Sequence, residues 1–411
     1  MVMDRFGADA QDLFERGTEK HAAKDFREAV ECFSRVIALR PDVPAGWRAR
    51  AKAYVQLGRR TDALNDLDRA IRLMQDDPAL YAERAELLYR QKAYTGAIAD
   101  CDKVLALDDG WAAIFGLRAN AQAALGDTDS ALADYARAIA QDPDHAADYL
   151  LSRAELNLDC ENFVAVIADC EAALLRKPDS SRAFQTRGLA HRELGDLTAA
   201  EADFSEAIRL DADATMAYLA RATVRYDQGK TRLAAADCDE ALTREGDNPR
   251  ALSLRGMARR RLDDLAGAVT DYTAAIRHNP ETPATFNLRA AVFYQQREYG
   301  RAVQDHMDAL KRDPRSPSTF NQLGWIWATA PDPDIRNGRQ AKECATRACE
   351  LTEWQECGFL DTLAAACAEC GDFDDAVKWQ TKARDLAPTD QAADYESRIE
   401  LYRDGKPYRT A

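Results

Sequence analysis

Residues 249–282 read PRALSLRGMARRRLDDLAGAVTDYTAAIRHNPET, and the pattern of this stretch returns about every 34 residues. If its positions are numbered as slots 1 to 34, slot 4 is large and apolar (Leu252), slot 8 is small (Gly256) and slot 20 is alanine (Ala268). Eleven such units begin at Ala10, Pro44, Pro78, Ala112, Ala147, Ser181, Thr215, Pro249, Pro283, Pro317 and Cys357. A repeat of this length overrides the roughly two or three globular domains that 411 residues would otherwise suggest, because an array lengthens without enlarging any single core.

Each unit predicts a pair of helices. Slots 4, 8 and 11 share one face of a first helix, and slots 20, 24 and 27 share one face of a second. Slot 8 is Gly or Ala throughout, and slot 20 is alanine in every unit except the one that contains Val166, so two helix backbones can approach closely. Eleven of the fourteen prolines fall at slot 32 or slot 1, where a helix ends or begins. Five glycines predict the end of a first helix: Gly58, Gly126, Gly195, Gly229 and Gly371.

These slots resemble the tetratricopeptide repeat, and the resemblance covers residues 10–388. It implies an all-α fold, a right-handed superhelical solenoid of antiparallel helix pairs. In this family the concave face, lined by first helices, usually binds peptides or partner proteins. Residues 360–366, 371–376 and 398–408 also resemble a C-terminal module common to bacterial tetratricopeptide proteins.

The organisation that follows has five parts. Residues 1–9 form a lead-in, 10–316 hold units one to nine, and 317–388 hold units ten and eleven with an ordered loop insertion near 328–338. Residues 389–404 form an amphipathic capping helix that covers the last hairpin, as the end of a solenoid requires. We expect the tail, 405–411, to fray.

A second regularity concerns charge. Slot 7 is arginine and slot 23 is aspartate in units two to nine, and antiparallel helices place these slots at nearly the same height. We therefore predict a ladder of ion pairs, within a hairpin or to its neighbour: Arg50/Asp66, Arg84/Asp100, Arg118/Asp134, Arg153/Asp169, Arg187/Asp203, Arg221/Asp237, Arg255/Asp271 and Arg289/Asp305. The alternative, an anion-binding row of arginines, is disfavoured because each arginine has a partner at hand.

Composition excludes several classes of protein. The net charge of −15 repels phosphate backbones and anionic lipid, so we expect no nucleic-acid and no membrane partner. The uncharged runs fall far short of the roughly 18 residues of a transmembrane helix. No secretory signal is recognised at the start, and the ten cysteines read as reduced thiols, which together predict a cytoplasmic protein.

Five cysteines lie within 27 residues: Cys344, Cys349, Cys357, Cys367 and Cys370. Such a cluster could form a zinc site or a redox pair, or its members could simply pack in the core. Helix spacing favours packing, since Cys101, Cys170 and Cys238 also occupy slot 24, a core position. The histidines are scattered, His306 reads as a core residue, and no glycine-rich phosphate loop occurs. We predict no enzymatic activity and no metal or other cofactor.

Slots 2, 5, 9, 12 and 13 should line the inner face if the family geometry holds. Over units six to ten they carry arginine, tyrosine, methionine and asparagine, residue types that grip extended peptides. The candidate partner-binding residues are Arg182, Gln185, Arg192, Met216, Tyr226, Arg250, Met257, Arg260, Asn287, Tyr294, Asn321 and Trp325. Solvated helix surface is the alternative interpretation. The carboxylate clamp of chaperone-binding members is not recognised, although Arg48 and Lys52 suit one unit.

The sequence thus predicts a non-catalytic scaffold that binds a protein or peptide along its groove. A structural assembly protein that self-associates through the solenoid, with its groove unoccupied, is the alternative. Neither the partner nor the oligomeric state can be read from the residues.

Overall fold

The computed structural model describes residues 8–388 and 392–410, and this part of the chain is entirely helical apart from turns and loops. It divides into two compact units, the first ending at Ala199 and the second beginning at Ala200, within α12. The helices of the first unit are α1 (Ala8–Ala22), α2 (Phe26–Leu39), α3 (Pro44–Gln56), α4 (Arg60–Leu73), α5 (Pro78–Arg90), α6 (Tyr94–Leu107), α7 (Ala112–Ala124), α8 (Thr128–Gln141), α9 (Ala146–Asp159), α10 (Phe163–Arg176) and α11 (Ser181–Glu193).

After α12 (Leu197–Leu210), the second unit contains eleven further helices. They are α13 (Thr215–Asp227), α14 (Thr231–Arg244), α15 (Pro249–Arg261), α16 (Leu265–His278), α17 (Pro283–Gln295), α18 (Tyr299–Arg312), α19 (Pro317–Thr329), α20 (Gly338–Leu351), α21 (Cys357–Glu369), α22 (Phe373–Leu386) and α23 (Ala392–Arg403). The expected all-α array of helix pairs is therefore present in each unit.

Small residues at slots 8 and 20 let the hairpins close. Ala85 of α5 and Ala97 of α6 are both fully buried where these two helices meet, as the repeat pattern predicts. Within each unit, odd-numbered helices pack on the even-numbered helix before them, for example α5 on α4 and α17 on α16. The five predicted terminator glycines all have positive φ, from 73° to 83°. At these turns a residue with a Cβ would be strained, which explains why glycine ends so many of the first helices.

Seven of the predicted arginine–aspartate pairs form within their own hairpins. In each, the arginine Nε and one terminal nitrogen donate to the two carboxylate oxygens, over 2.5–3.0 Å. The pairs are Arg50–Asp66, Arg84–Asp100, Arg118–Asp134, Arg153–Asp169, Arg221–Asp237, Arg255–Asp271 and Arg289–Asp305. The eighth predicted pair, Arg187 and Asp203, falls on two different units. All seven aspartates are buried, so this double hydrogen bond satisfies carboxylates that water barely reaches.

The third guanidinium nitrogen of these arginines reaches the preceding hairpin. In six pairs it donates to slot 25 of that hairpin, for example from Arg84 to Asp68 (2.6 Å) and from Arg289 to Thr273 (2.9 Å). Ser34, Asp102, Ser205 and Asp239 accept in the other four. Arg153 makes no such bond, because slot 25 of the preceding hairpin is Ala136. In six hairpins, one arginine therefore both closes the hairpin and joins it to the preceding one.

The last helix covers the end of the second unit. Residues 389–391, at the start of the predicted cap, lie outside the described residues, and α23 begins at Ala392. Tyr395, Ile399 and Tyr402 of α23 are buried, and Arg398 binds both carboxylate oxygens of Asp361 in α21 at 2.7 Å.

The tail does not fray in the structure. Thr410 N donates to Thr329 O (3.0 Å), and Arg409 forms an ion pair with Glu369 (2.5 Å). Tyr408 contacts the ring of Trp325, with the ring centroids 5.7 Å apart. The expectation of a frayed tail was therefore wrong for residues 405–410, because contacts distant in sequence hold them.

The insertion near 328–338 is an ordered loop between α19 and α20. Asn337 N donates to Trp327 O (2.9 Å), and Arg336 donates to the carbonyls of Ala330 and Pro331 (both 2.8 Å). Arg336 also pairs with Glu369, so one arginine anchors the loop to α21.

Two of the five clustered cysteines pack as apolar side chains, whereas Cys370 is exposed. Cys349 and Cys367 are fully buried among Leu360, Ala364 and Tyr402. Burial raises the pKa of Cys349 to about 12 and that of Cys367 to about 11, so both thiols stay protonated. Across the described ranges, no three His, Cys, Asp or Glu side chains converge as a metal ion would require. In the same ranges no helix has the length and apolar character to cross a membrane.

Candidate functional site

Three adjoining cavities run along the first helices of the second unit. The first, about 400 Å³, lies between α13, α15 and α17, and the second, about 630 Å³, lies between α15, α17 and α19. The third, about 300 Å³, lies between α17, α19, α21 and α23. Met257, Arg260 and Leu288 line both the first and the second cavity, and Tyr294 and Gln322 line both the second and the third. The three cavities are thus consecutive parts of one surface, which we call the first-helix surface.

The second cavity has a polar floor that the protein itself satisfies. Asn287 donates from Nδ2 to Thr319 Oγ1 (2.9 Å), and its Oδ1 is 2.8 Å from His306 Nδ1. This network joins α17, α18 and α19 beneath the cavity. Both polar atoms of the Asn287 side chain are therefore already engaged within the protein, whereas Ser318 is exposed at the cavity wall. His306 was missed as a lining residue, because slot 24 is a core position in most units.

Burial of His306 makes the stability of this part of the chain depend on pH. Burial lowers the pKa of His306 from 6.5 to about 4, so the unfolded chain binds a proton between these values that the folded chain does not. The free energy of unfolding is therefore highest above the unfolded pKa, where the histidine is neutral in both states, and it falls as the pH drops toward 4. We expect unfolding of the second unit to require about 2 kcal/mol less at pH 5 than at pH 7 on this account.

The measurement is urea unfolding at both pH values, compared with His306→Phe. Phenylalanine occupies the same slot at Phe33 and Phe204, so the repeat accommodates it. The difference in free energy of unfolding between wild type and variant should change by about 2 kcal/mol between pH 7 and pH 5. Parallel pH profiles for the two proteins would contradict the prediction.

The third cavity is lined by an amide oxygen that has no hydrogen-bond partner among the described residues and by an arginine whose charge is neutralised by an aspartate. The Oδ1 atom of Asn321 is buried and has no hydrogen-bond partner within the described residues. Trp325 donates weakly from Nε1 to Tyr294 Oη (3.3 Å). Arg398 lines the same cavity but is paired with Asp361. Burial raises the pKa of Asp361, whereas the charge of Arg398 acts to lower it. The Oδ1 atom of Asn321 is thus available to accept from a backbone N–H.

The first cavity contains a buried hydroxyl brought in from the second helix of its hairpin. The ring of Tyr272 in α16 passes over Gly256, where an added Cβ would be 2.7 Å from the ring. Glycine at slot 8 therefore admits the ring, and Tyr272 joins Met257 and Arg260 in lining the cavity. Burial raises the pKa of Tyr272, so the hydroxyl keeps its proton and can donate it. The place of Tyr272 in the cavity could not be predicted from the sequence, because slot 24 is a core position in other units.

The structure brings together seven of the predicted binding residues on the first-helix surface. They are Tyr226, Met257, Arg260, Asn287, Tyr294, Asn321 and Trp325. Arg250 and Met216 are both exposed, on α15 and α13, and do not line these three cavities. Their part in binding stays a prediction.

The other three predicted residues lie on α11, in the first unit. Arg182 forms an ion pair with Glu155, and Arg192 forms one with its neighbour Glu193. Gln185 donates to Ser181 Oγ (3.2 Å). A ligand for these groups would have to displace partners that they already have.

A separate cavity of about 330 Å³ in the first unit includes Lys52 and Glu83. Glu83 accepts from Lys52 (3.1 Å) and from Arg48 (2.6 Å). Both cations that suggested a clamp in one unit are therefore neutralised within the protein.

Sequence profiles of the tetratricopeptide repeat match residues 21–82, 117–159, 181–213, 219–272 and 254–317, together more than half of the chain. The chain belongs to the tetratricopeptide repeat family. The structure agrees, since hairpins with the family's small and large slots stack in series in each unit. Membership places the protein among interaction scaffolds.

Solved structures with similar folds include other tetratricopeptide repeat proteins. Yeast Tom70 is 15% identical, with 96% of each chain covered and a TM-score of 0.41. A tetratricopeptide repeat protein from Parabacteroides merdae is 19% identical over 70% of this chain and all of its own, with a TM-score of 0.41. YrrB, described as having an unusual peptide-binding site, is 19% identical over 45% of this chain and 95% of its own, with a TM-score of 0.39. Likenesses of this size carry no functional information about the present chain. No match was found among curated protein sequences.

Proposed function

We propose that the protein binds an extended segment of a partner protein along the first-helix surface of its second unit. The observation that carries this proposal is the row of three consecutive cavities, with shared walls, from α13 to α23. A row of linked cavities suits successive side chains of one extended chain, whereas a single closed pocket would suit a small molecule.

The lining chemistry supports the same function. Tyrosine, tryptophan, methionine and arginine are the residue types that contribute most to protein interfaces, and all four line these cavities. Asn321 offers a buried acceptor for a backbone N–H. An unpaired buried acceptor is unfavourable until a ligand satisfies it, so part of the affinity would come from this group.

The role we propose is binding rather than catalysis, and we place it in the cytoplasm. None of the ten cysteines, all of which lie within the described residues, forms a disulfide, and six of them are buried. This usage supports a reducing compartment.

Selection of random linear peptides displayed on phage against the full chain tests the proposal. We expect enrichment of a peptide family, and we expect the double variant Arg260→Glu, Ser318→Trp to lose it. The first change reverses a charge between two cavities, and the second fills the exposed wall of the largest one. Arg277→Glu is the matched control, because Arg277 is an exposed arginine on α16, the second helix of the same hairpin as Arg260.

Enrichment that survives the double variant would exclude this surface as the site. If no peptides are enriched and the chain sediments as a large self-assembly, the structural role expected as the alternative replaces the proposed one.

A further inference from the structure

The first cavity contains a buried donor without an acceptor. Tyr272 is fully buried, and its hydroxyl has no hydrogen-bond partner among the described residues. Tyr272 lines a cavity of about 400 Å³ together with Tyr226, Met257, Leu288 and Gln295. Buried polar groups in folded proteins almost always have partners, so this exception requires an explanation.

The repeat supplies its own comparison. Tyr135 occupies the same slot in unit four, and its hydroxyl donates to Asn120 Oδ1 at slot 9 (2.5 Å). In the unit of Tyr272, slot 9 is Met257, whose thioether is only a weak acceptor. His306, the other polar residue discussed at slot 24, is bonded to Asn287. The hydroxyl of Tyr272 therefore lacks a partner because of one residue exchange within an otherwise repeated arrangement.

A cation lines the same cavity. The only hydrogen bond of Arg260 within the described residues is a long one to Gln295 Oε1 (3.5 Å), and no carboxylate there pairs with it. By contrast, its neighbour Arg259 pairs with Asp271 (2.9 Å). Arg261, also in the cavity wall, donates to the carbonyl of Tyr226 (3.2 Å) and lies over the Tyr226 ring. The lining of this cavity thus includes a buried hydroxyl without a hydrogen-bond partner and a guanidinium without a carboxylate partner among the described residues.

We propose that this cavity binds the carboxylate of an aspartate or glutamate side chain in the partner segment. The proposal rests on the proposed function and names the chemistry of one position in the bound segment. A carboxylate has acceptor sites for both donors, and hydrogen bonds to an ionised acceptor are stronger than neutral ones. Met257 and Leu288 provide apolar walls for the methylene groups of such a side chain.

The test begins with the peptides selected on the full chain. We expect an acidic residue at one fixed position, and we expect two variants to lose this preference while they still capture peptides. Tyr272→Phe removes the donor. Met257→Asn introduces the kind of acceptor that Asn120 provides for Tyr135, so the Tyr272 hydroxyl can form a hydrogen bond within the protein. Tyr135→Phe, which removes the paired hydroxyl, is the control and should leave the preference intact.

Affinities then measure the effect. A selected peptide, amidated at its C-terminus so that only the side chain carries the carboxylate, is compared with its Glu→Gln or Asp→Asn counterpart by fluorescence anisotropy. We expect this exchange to weaken binding to the wild type by about tenfold or more, and to Tyr272→Phe and Met257→Asn by about threefold or less.

The outcomes separate the two proposals. Enriched peptides without a fixed acidic position, or an acidic preference that persists in both variants, would overturn the carboxylate site and leave peptide binding in place. Failure to enrich any peptide would overturn both.

Discussion

Asp134→Ala is expected to lower the free energy of unfolding of the α7–α8 hairpin by about 3 kcal/mol. The residue is 2% exposed, and its carboxylate accepts from Arg118 Nε (2.6 Å) and from a terminal nitrogen of the same guanidinium (2.8 Å). Removal of one partner of a buried pair costs roughly 3–5 kcal/mol where the other charge is left uncompensated, whereas Arg118 keeps its more exposed bond to Asp102. The 15% exposure of the Arg118 side chain places the expected loss at the low end.

Asp102→Ala provides the matched control on the same arginine. Asp102 accepts from Arg118 at 2.5 Å, but its side chain is 56% exposed, so we expect a loss below about 1 kcal/mol. Stability in a repeat array is local, so amide hydrogen exchange in α7 and α8 is the appropriate measurement. Protection there should fall about a hundredfold in Asp134→Ala, and equal effects of the two variants would contradict the prediction.

The pairing within hairpins could be predicted, because arginine and aspartate recur at fixed slots and antiparallel helices bring those slots to one height. The hydrogen bond from the arginine to slot 25 of the preceding hairpin could not be predicted. Its acceptor is aspartate, serine or threonine, so no single residue type repeats at slot 25. Its absence at Arg153 follows from Ala136, which the structure explains and periodicity does not.

Helix positions could also be predicted, since proline and small residues mark where each helix begins and where helices touch. The ordered conformation of the tail could not be predicted, because Gly405, Lys406 and Pro407 are typical of a free chain end. Arg409 and Thr410 are held by Glu369 and Thr329, and only the fold brings these residues together.

For the binding surface, the sequence predicts residue types but not which polar groups are already paired. Asn287 and Asn321 occupy the same slot in adjacent units, yet the first is bonded to His306 and Thr319, and Oδ1 of the second has no partner among the described residues. Arg182 and Arg260 differ in the same way, because Glu155 happens to lie within reach of the first. Availability depends on neighbours from other helices, and the repeat pattern does not fix their identity.

Arg398→Met is expected to destabilise the end of the second unit by about 3 kcal/mol at pH 7. Asp361 is 7% exposed, and Arg398 and Gln380 each donate to its carboxylate at 2.7 Å. Methionine keeps much of the length and apolar contact of the arginine but removes the charge, so the buried carboxylate loses its counter-ion. Exchange of amide hydrogens in α21 and α23 should accelerate, and Arg403→Met, at an exposed position of the same helix, should have little effect.

Two further measurements distinguish loss of the charge pair from loss of packing. Burial already raises the pKa of Asp361, and without Arg398 it should rise further. The difference in stability between variant and wild type should therefore narrow as the pH falls from 7 to 5, because the protonated acid needs no counter-ion. Asp361→Asn combined with Arg398→Met should likewise recover part of the loss, since the amide can still accept from Gln380. A deficit that stays constant with pH and is not relieved in the double variant would show that Arg398 supports the end of the array through packing alone.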